Sequence, residues 1–347
     1  MWLRNVWQVA GFATEVDDGI LSRRLLNQPL IFYRDGAGTI VAMQDRCPHR
    51  LVPLSLGRRT DEGVIECGYH GMRFGSDGAC VFAPGQAAPG AVKVRTFPVL
   101  ERYRLIWIWL GDPELADPAL VPDIYWFDHP DWTTAFGYHH FSADYRLVTD
   151  NLLDLSHETY VHQRTIGQGA IAESEPKVDV DPGGTVRAKR EMLNIDPPPF
   201  FQLFMDYAGK IDRTQLAFYA PPGINMTEYT GKRVEGDQTI FLNRVMHLLT
   251  PETEHSTHYF WGQARNYRTE DLELSETIAE ATSRTFDEDK DMLEMQQRVL
   301  IEENATVPAA AIRFDIAPVQ AQRMLARLVE QEARDPRFVP PLVHIAD

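Results

Sequence analysis

Two short segments place cysteine and histidine side by side in the N-terminal third of the chain. They read Cys47-Pro48-His49 and Cys67-Gly68-Tyr69-His70, with 17 residues between them. Each segment offers one thiolate and one imidazole from a tight loop. A [2Fe–2S] cluster of the Rieske type has two thiolates on one iron and two imidazoles on the other. The sequence therefore predicts such a cluster, with Cys47 and Cys67 on an inner iron and His49 and His70 on an outer, more exposed iron.

A zinc site is the alternative for these four side chains, because zinc also binds two cysteines and two histidines. Zinc motifs commonly pair cysteine with cysteine and histidine with histidine, whereas each segment here is mixed, which favours the iron–sulfur cluster. The third cysteine, Cys80, has no cysteine or histidine at a useful spacing. We interpret Cys80 as a small buried apolar residue.

A second group of polar side chains lies in a predicted helix at 143–162. It contains Asn151, Asp154, His157 and His162. At about 100° per residue these side chains share one broad helix face, but the five-residue spacing of the histidines predicts a helix that is distorted or ends between them. Two histidines and a carboxylate form the facial triad of O2-activating non-heme Fe(II). One such histidine alone would indicate a buried structural residue, but the combination favours an iron site.

The carboxylate that would complete this triad is not determined by local spacing. An acidic run at 287–291 lies on a predicted C-terminal helix, about 269–303. Such a run usually forms a solvated helix face, but one member can point inward. From the residues alone, Asp287, Asp289 and Asp291 remain open as the iron ligand.

Length and charge limit the classes of protein that this sequence can encode. A chain of 347 residues suggests two domains at roughly 100–200 residues each. The net charge of -16 argues against nucleic acid and anionic membranes as partners. No apolar run approaches the roughly 18–20 residues of a membrane span, and the N-terminal residues lack the apolar core of a signal peptide. We expect a cytoplasmic protein.

The pattern of apolar residues predicts an α+β protein with two domains. Residues 1–115 read as an all-β domain that carries the cluster, and residues 116–347 as an α+β catalytic domain with an antiparallel sheet flanked by helices. A stretch rich in Pro and Asp at 111–122 marks the boundary. In the second domain we predict strands near 186–193, 214–219, 223–229, 239–249 and 256–263, and a last helix near 317–334.

The strands between 195 and 265 are rich in aromatic residues and methionine, and we expect them to line a substrate pocket. Pro197, Pro198, Pro199, Phe200, Phe201, Phe204 and Met205 are candidates for its wall, although ordinary sheet core is the simpler interpretation for most of them. Asn225, His247 and His258 could bind a carboxylate or another polar group of the substrate. A hydrogen-bonded structural role is the alternative for each.

These motifs resemble the oxygenase components of Rieske non-heme iron oxygenases. The chain is most similar to the single-subunit group that includes vanillate O-demethylase and dicamba monooxygenase, and the resemblance covers nearly its whole length. The segments that carry it are Asn5-Val6-Trp7, 47–50, 67–71, 151–162, 257–261 and 286–297.

The resemblance implies roles for individual residues of the second group. His157 and His162 match the iron ligands, and Asp289 matches the ligand carboxylate because it follows an acidic residue and precedes Glu294 by five positions. Asp154 matches a residue that hydrogen-bonds a ligand histidine and a cluster histidine of the neighbouring subunit, and so carries electrons between the centres. Asn151 matches a residue close to the iron that is not a strong ligand.

The resemblance also implies partners and a reaction. Such oxygenases form head-to-tail rings, commonly homotrimers, and receive electrons from a separate NADH-oxidising reductase that contains a flavin and a [2Fe–2S] cluster. No G-x-G-x-x-G fingerprint of a dinucleotide site occurs in this chain, which also favours a separate reductase. The expected reaction uses O2 to oxidise a small aromatic substrate, with O-demethylation of a methoxy aromatic acid and release of formaldehyde as the first expectation.

Other functions remain open from the sequence. A Rieske oxygenase of another type would hydroxylate a methyl group or ring carbon, or would remove a methyl group from nitrogen. A Rieske protein that only transfers electrons would need no more than the N-terminal domain and would leave the two-histidine segment unexplained. A zinc-stabilised binding module is a third, non-enzymatic alternative.

Overall fold

The chain folds as two units that are each built around an antiparallel sheet or sheets. The computed structural model describes residues 1–181, 184–198, 200–201, 207, 209–235, 238–306, 310 and 312–345. The first unit comprises Met1–Val121 and Glu332–Pro340, and the second comprises Pro122–Gln331 and Pro341–Asp347. The functional division at 115/116 stays a prediction. The compact units divide after Val121, and no pattern in the sequence predicted that 332–340 returns to the first unit.

Short strands build the first unit, because its apolar runs are interrupted by turn residues every few positions. The strands are β1 Trp7–Phe12, β2 Leu21–Leu25, β3 Gln28–Arg34, β4 Ile40–Gln44, β5 Arg58–Arg59, β6 Ile65–Glu66, β7 Arg73–Phe74, β8 Cys80–Phe82, β9 Thr96–Phe97, β10 Val99–Arg102 and β11 Leu105–Trp109. They pair in three sheets, in the orders β1-β11-β10, β2-β3-β4-β9 and β5-β6-β7-β8.

The buried amide of Asn5 connects the return segment 332–340 to the rest of the first unit. Its Nδ2 donates to the carbonyl oxygens of Pro336 and Phe338, each at 2.9 Å, and its Oδ1 accepts from the backbone N–H of Asp112 at 2.9 Å. The Glu332 carboxylate accepts from the backbone N–H of Asn5 at 2.7 Å. A buried amide with filled hydrogen bonds fixes one arrangement of these segments.

One large sheet forms the second unit. Its strands are β12 Thr133–Phe141, β13 Lys177–Asp181, β14 Thr185–Ile195, β15 Ile211–Ala220, β16 Ile224–Arg233, β17 Thr239–Thr253 and β18 Ser256–Arg265. They form a seven-stranded antiparallel sheet in the order β12-β18-β17-β16-β15-β14-β13. The helices of this unit are α1 Tyr145–Leu153, α2 Glu158–Val161, α3 Gly169–Glu173, α4 Leu272–Glu302 and α5 Ile316–Arg334.

Two long helices, α4 and α5, pack on the same face of this sheet. Strand register places Val186, Tyr219, Asn225, His247 and Trp261 in one row across it, so their side chains share a face. On that face the ring of Phe286 from α4 lies 5.5 Å from the rings of both His247 and Trp261. The apolar cluster beneath α5 contains Val186, Ala188, Ala217, Tyr219, Ala317, Ala321 and Met324.

The observed elements confirm the predicted α+β class and all five strands predicted in the second domain, most of which are longer than expected. The sequence did not predict β12 or β13. Within the described part of the chain, no helix is both long and apolar enough to cross a membrane.

Candidate active site and cluster-binding loops

The two cysteine–histidine segments fold into loops of the same design. The backbone N–H of Cys47 donates to the Val52 carbonyl, and that of Cys67 donates to the Met72 carbonyl, each at 2.8 Å. In both loops the hydrogen bond joins residues that are five positions apart, and the histidine lies between them. The second loop needs Gly68, because a Cβ there would lie 2.5 Å from the carbonyl oxygen of Leu56. Because the two loops share this design, each places its cysteine and its histidine in equivalent positions.

Burial separates the four side chains into an inner and an outer pair. Cys47 and Cys67 are buried, at 1% and 2% exposure, whereas His49 and His70 are exposed and their rings lie 4.8 Å apart. Burial raises the pKa of the Cys47 thiol. A buried thiolate pair and an exposed imidazole pair are the arrangement that an asymmetric [2Fe–2S] cluster requires. Cys80 is likewise buried in the adjacent apolar cluster.

The four side chains are not gathered around one point, as a single zinc ion would require. Among the described residues, one set of three or more metal-binding side chains has all its ligand atoms within 4.8 Å of one another, and it lies elsewhere, at His157, His162 and Asp289. This spacing argues against the zinc alternative for the first unit.

A break in the helix brings the two histidines of the second unit together. Helix α1 ends at Leu153, a short 3-10 turn covers Leu155–His157, and α2 follows. The Asp154 carboxylate accepts from the backbone N–H of Ser156 at 3.0 Å and so caps the turn. The rings of His157 and His162 consequently lie 5.2 Å apart. The distortion predicted from their five-residue spacing is confirmed.

Helix α4 supplies the carboxylate that faces these histidines. Asp289 Oδ1 lies 3.3 Å from His157 Nε2 and 3.2 Å from His162 Nε2. The Nδ2 of Asn151 donates to the same oxygen at 3.0 Å. Asp289 is buried, whereas Asp287 and Asp291 are exposed on the solvent side of the helix. Of the three aspartates left open by the residues, only Asp289 lies at the histidine pair.

The second ring nitrogen of each histidine is held by an oxygen. His157 Nδ1 lies 2.6 Å from the backbone carbonyl oxygen of Asp154, and His162 Nδ1 lies 2.7 Å from Glu288 Oε2. Thr165 Oγ1 donates to that Glu288 oxygen at 3.0 Å. Because Nδ1 of each ring faces an oxygen acceptor, Nε2 is the nitrogen that faces Asp289, and it becomes available to a metal ion once its proton is displaced. Sequence reasoning had not assigned Glu288 a role.

The charges in this group favour a cation. Burial alone would lower the pKa of His157, but the hydrogen bond and charge of Asp289 raise it to about 9. Burial would likewise lower the pKa of His162, but the hydrogen bond and charge of Asp289 raise it. Burial would raise the pKa of Asp289, yet the two imidazoles hold it well below its usual range. The protons that these histidines retain are those that a bound metal ion displaces.

Asp154 contacts His157 through its backbone, while its carboxylate has other neighbours. Its carboxylate is partly exposed and lies 3.4 Å from Nη2 of the buried Arg190, and its contact with His157 is made by the backbone carbonyl. The hydrogen bond to a proposed ligand histidine that the resemblance implied is therefore present, with the backbone carbonyl oxygen of Asp154 as the acceptor. Its role in electron transfer stays a prediction.

A pocket adjoins the side chains of His157, His162 and Asp289, which form part of its lining. The sheet contributes side chains from the face that α4 and α5 cover, on β15, β16, β17 and β18. Its lining includes Phe200, Phe201, Arg213, Gln215, Thr227, Tyr229, Val245, His247, Gln263 and Phe286. The aromatic and apolar side chains of this lining suit a small aromatic molecule.

Of the three predicted substrate residues, only His247 lines this pocket. Its Nδ1 lies 2.5 Å from the Tyr259 hydroxyl and its Nε2 lies 3.2 Å from Thr227 Oγ1. Burial lowers the pKa of His247 to about 3, so its imidazole is neutral at physiological pH. Both ring nitrogens already have partners within the sheet, which fits the structural alternative.

The other two predicted substrate residues lie outside the pocket lining. Strand alternation turns His258 to the opposite face from Tyr259, where its Nδ1 lies 2.8 Å from the Tyr138 hydroxyl. Asn225 is on the same face as His247 and is 1% exposed. Its amide atoms have no hydrogen-bond partner among the described residues. A substrate contact for Asn225 stays a prediction.

The described part of the chain includes only some of the predicted wall residues. Phe200 and Phe201 line the pocket, whereas Pro199, Phe204 and Met205 fall outside the described residues. Sequence reasoning missed a polar group formed by Glu158, Arg213 and Gln215. The alternation of Ile211, Arg213 and Gln215 along β15 would have placed the two polar residues on the buried side, if the strand had been predicted to begin that early.

Comparison with known proteins agrees with this geometry. Residues 6–98 match the Rieske [2Fe-2S] domain family and residues 141–331 match the vanillate O-demethylase oxygenase C-terminal domain family. The chain is 40% identical to the vanillate O-demethylase oxygenase subunit of Pseudomonas sp. (strain HR199 / DSM 7063), over 98% of this chain and 99% of that protein. It is 37% identical to the toluene-4-sulfonate monooxygenase system iron-sulfur subunit of Comamonas testosteroni, over 96% and 98%.

Solved structures give the same result. The crystal structure of dicamba monooxygenase bound to 3,6-dichlorosalicylic acid superimposes with a TM-score of 0.88 at 34% identity, over 95% of this chain and 98% of that one. A further crystal structure of that enzyme contains non-heme iron and dicamba.

The side chains of this chain fit both metal groups. The exposed histidine pair and buried cysteine pair suit a Rieske cluster, and the two Nε2 atoms and Asp289 suit a mononuclear iron. The chain therefore belongs to the Rieske non-heme iron oxygenases, as an oxygenase component that contains a [2Fe–2S] cluster and a mononuclear iron.

Proposed function

We propose that this oxygenase O-demethylates a methoxy aromatic acid and releases formaldehyde. The observation that carries the proposal is the position of His157, His162 and Asp289 at a pocket with aromatic lining. The vanillate O-demethylase subunit, which matches the chain nearly end to end, supports the reaction type. Vanillate and toluene-4-sulfonate, named in the two relatives, are both aromatic anions, which supports an acidic substrate.

The reaction balances with O2 and NADH. One oxygen atom enters a C–H bond of the methoxy group, and the resulting hemiacetal breaks into a phenol and formaldehyde. The other oxygen atom leaves as water, with two electrons from NADH and two protons. The iron, when bound, supplies the activation of O2 that this insertion requires.

The residues around this centre hold and orient its ligands. We assign His157, His162 and Asp289 as the iron ligands, and Cys47, His49, Cys67 and His70 as the cluster ligands. Glu288 orients His162 through its 2.7 Å contact with Nδ1. Asn151 is a positioning residue, because its amide donates to the ligand oxygen of Asp289. The pocket lining excludes water from the reacting carbon and holds the ring against the metal donors.

Electrons enter from a partner protein. The relatives' names, which describe an oxygenase subunit and an iron-sulfur subunit of a monooxygenase system, support a separate reductase, and we propose one with a flavin and a [2Fe–2S] cluster that oxidises NADH. We also propose a head-to-tail homotrimer in the cytoplasm, in which Asp154 connects the cluster of one subunit to the iron of the next.

Hydroxylation of an aryl methyl group is the second candidate. It is favoured by the similarity to a toluene-4-sulfonate monooxygenase subunit, since that substrate carries a methyl group and no methoxy group. The same pocket and metal donors serve either reaction, because both insert oxygen into a methyl C–H bond.

A steady-state assay distinguishes the two candidates. Iron-loaded protein receives NADH and a surrogate flavin/[2Fe–2S] reductase. Formaldehyde release and O2 uptake are then followed for methoxybenzoates, methylbenzoates and (methylamino)benzoates. Formaldehyde equal to O2 consumed, with the methoxy acids only, supports the proposal. A benzylic alcohol without formaldehyde would establish methyl hydroxylation instead.

A further inference from the structure

The pocket contains a buried arginine on the sheet face covered by the helices. Arg213 lies on β15, in register with Gly231 on β16. It is 2% exposed and lines the same pocket as His157 and Asp289. A molecule that contacts Arg213 in this pocket is therefore in the cavity that holds the proposed iron ligands.

The immediate neighbours of Arg213 satisfy only part of its guanidinium. Its Cζ lies 4.8 Å from the ring centre of Phe201, so the aromatic ring covers one face. The nearest carboxylate oxygen, Glu158 Oε2, is 3.8 Å from Nη2, which is beyond hydrogen-bond distance. The other oxygen of Glu158 accepts from Gln215 Nε2 at 2.7 Å.

Three polar atoms in this group remain without a hydrogen-bond partner among the described residues. They are Nε and Nη1 of Arg213 and Oε2 of Glu158. Buried polar groups are nearly always hydrogen-bonded, and a charged one left unpaired is costly. An unfilled buried guanidinium inside a ligand pocket points to a ligand that supplies the missing acceptors.

We propose that Arg213 binds the anionic group of the substrate, a carboxylate or sulfonate on the aromatic ring. The proposal rests on the proposed function and names the residue that selects its acid. Arginine carries a fixed positive charge and presents donors that match the oxygens of such groups. Glu158 offsets the charge of Arg213 when no anion is bound, and it limits how tightly the anion binds, because like charges repel.

The other buried or half-buried arginines of the sheet do not fit this role. Arg190 also has two donors, Nε and Nη1, without a hydrogen-bond partner in the described part of the chain, but it lies beside Asp154 and is not in the pocket lining. Arg244 stacks on Trp126 at 4.7 Å and pairs with Glu228 at 2.8 Å, also outside the lining. Arg244 therefore provides a matched control on the same sheet.

Binding without turnover tests the proposal directly. Equilibrium dialysis of the holoenzyme, with no reductase present, measures the affinities for 3-methoxybenzoate, 3-methoxybenzenesulfonate and the neutral 3-methoxybenzamide. The wild type should prefer at least one anion over the amide. In R213M that preference should fall about 30-fold, with the amide affinity unchanged. R244Q should keep the wild-type preference.

A second pair of variants covers the case in which R213M does not fold. The double variant R213M/E158Q removes both buried charges at once, so no carboxylate is left unpaired, and it should also lose the anion preference. E158Q alone should bind the anion several-fold more tightly. The [2Fe–2S] absorption spectrum checks that each variant is folded.

Three outcomes would overturn the proposal. They are a wild type that does not prefer either anion, an R213M or R213M/E158Q protein that retains the preference, and a loss of affinity that is equal for the anion and the amide. None of these depends on catalysis. Failure of demethylation with a normal anion preference would refute the proposed function alone, and demethylation without the preference would refute the role of Arg213 alone.

Discussion

The two histidines of the proposed iron site owe their orientation to atoms that are not ligands. A backbone carbonyl holds His157 and the Glu288 carboxylate holds His162, each through Nδ1. The residue types and their order in the sequence were enough to predict that both histidines belong to an iron site. The choice of Asp289 over Asp287 and Asp291 required the resemblance, because only the packing of the helix shows which carboxylate turns inward. Glu288 could not be found from the sequence, because it lies in a run of acidic residues that looks solvated.

The contact of Glu288 with His162 predicts weaker iron binding in E288Q. A glutamine cannot accept as strongly from Nδ1–H or supply negative charge, and loss of such a partner typically costs about 10–100-fold in metal affinity. Iron retention during titration with a chelator measures this, with the cluster absorbance as an internal reference. D289A should lose the mononuclear iron outright, while D291N, on the exposed side of the same helix, should behave as wild type. Equal retention in E288Q and D291N would refute the role.

A pH dependence follows from Asp150 on α1. Burial raises the pKa of this carboxyl to about 6, although it accepts a hydrogen bond from Gln322 on α5 at 2.9 Å. A raised pKa in the folded state means that the stability contribution is present at low pH and is lost as pH rises through about 6. Ionisation thus destabilises the wild type at neutral pH.

D150N should remove this dependence, since an amide keeps the acceptor for Gln322 without the charge. We expect the variant to gain about 1–3 kcal/mol over wild type at pH 8 and little at pH 4. The melting temperature of both proteins at each pH, with D291N as the exposed control, provides the measurement. A difference between D150N and wild type that is independent of pH would contradict this assignment.

At the scale of elements, the site depends on how the sheet supports helix α4. Alternating apolar residues predicted five of the seven strands. Helix α4 was predicted from apolar residues at helical spacing, which are Leu272, Leu274, Ile278 and Ala281. Strand β12 was missed because its sequence, with His139, His140 and a glycine, lacks a clear apolar alternation. The break between α1 and α2 was predicted only from the spacing of the histidines, since its cause is a local cap by Asp154.

The missed strand β12 supports the packing that positions Asp289. Gly137 faces Trp261 in register, and a Cβ at Gly137 would lie 2.0 Å from that ring. Trp261 in turn packs on Phe286, three residues before Asp289 on α4. We therefore expect G137A to push the tryptophan ring toward the helix.

The expected result for G137A is a loss of about 1–3 kcal/mol in stability, together with lower occupancy of the mononuclear iron. Thermal melting and iron analysis measure the two effects in one preparation. G169A is the matched control in the same unit, because a Cβ at Gly169 meets no atom within 4 Å. A G137A protein that melts with the control would show that the ring has room to move.

At the scale of the whole molecule, two compact units carry two different metal groups. The two-domain organisation could be predicted from the change in sequence pattern. The return of 332–340 to the first unit could not, because it depends on Asn5, a residue some 330 positions away. The proposed homotrimer adds a further level, at which electrons cross between subunits through Asp154.

Transfer between subunits predicts that two inactive variants restore each other. H49A chains lack a working cluster and D289A chains lack the iron, so each homo-oligomer should be inactive. In a head-to-tail ring assembled from an equal mixture, about a quarter of the interfaces join an intact cluster to an intact iron. Co-expressed, doubly tagged trimers exclude the homo-oligomers, so they should recover about a third of the wild-type activity, since each mixed ring has one productive interface in three. Inactive mixed oligomers would place both steps within one chain.

The most direct test of the account is a single turnover that needs no reductase. Protein with ferrous mononuclear iron and a chemically reduced cluster holds the two electrons that one turnover needs, one at each centre. It is mixed with excess 3-methoxybenzoate and exposed to O2, and the products are quantified against active sites. We predict 3-hydroxybenzoate and formaldehyde in equal amounts, close to one per iron site, and neither product from D289A. A ring-hydroxylated acid that retains its methoxy group, or hydrogen peroxide without formaldehyde, would contradict O-demethylation.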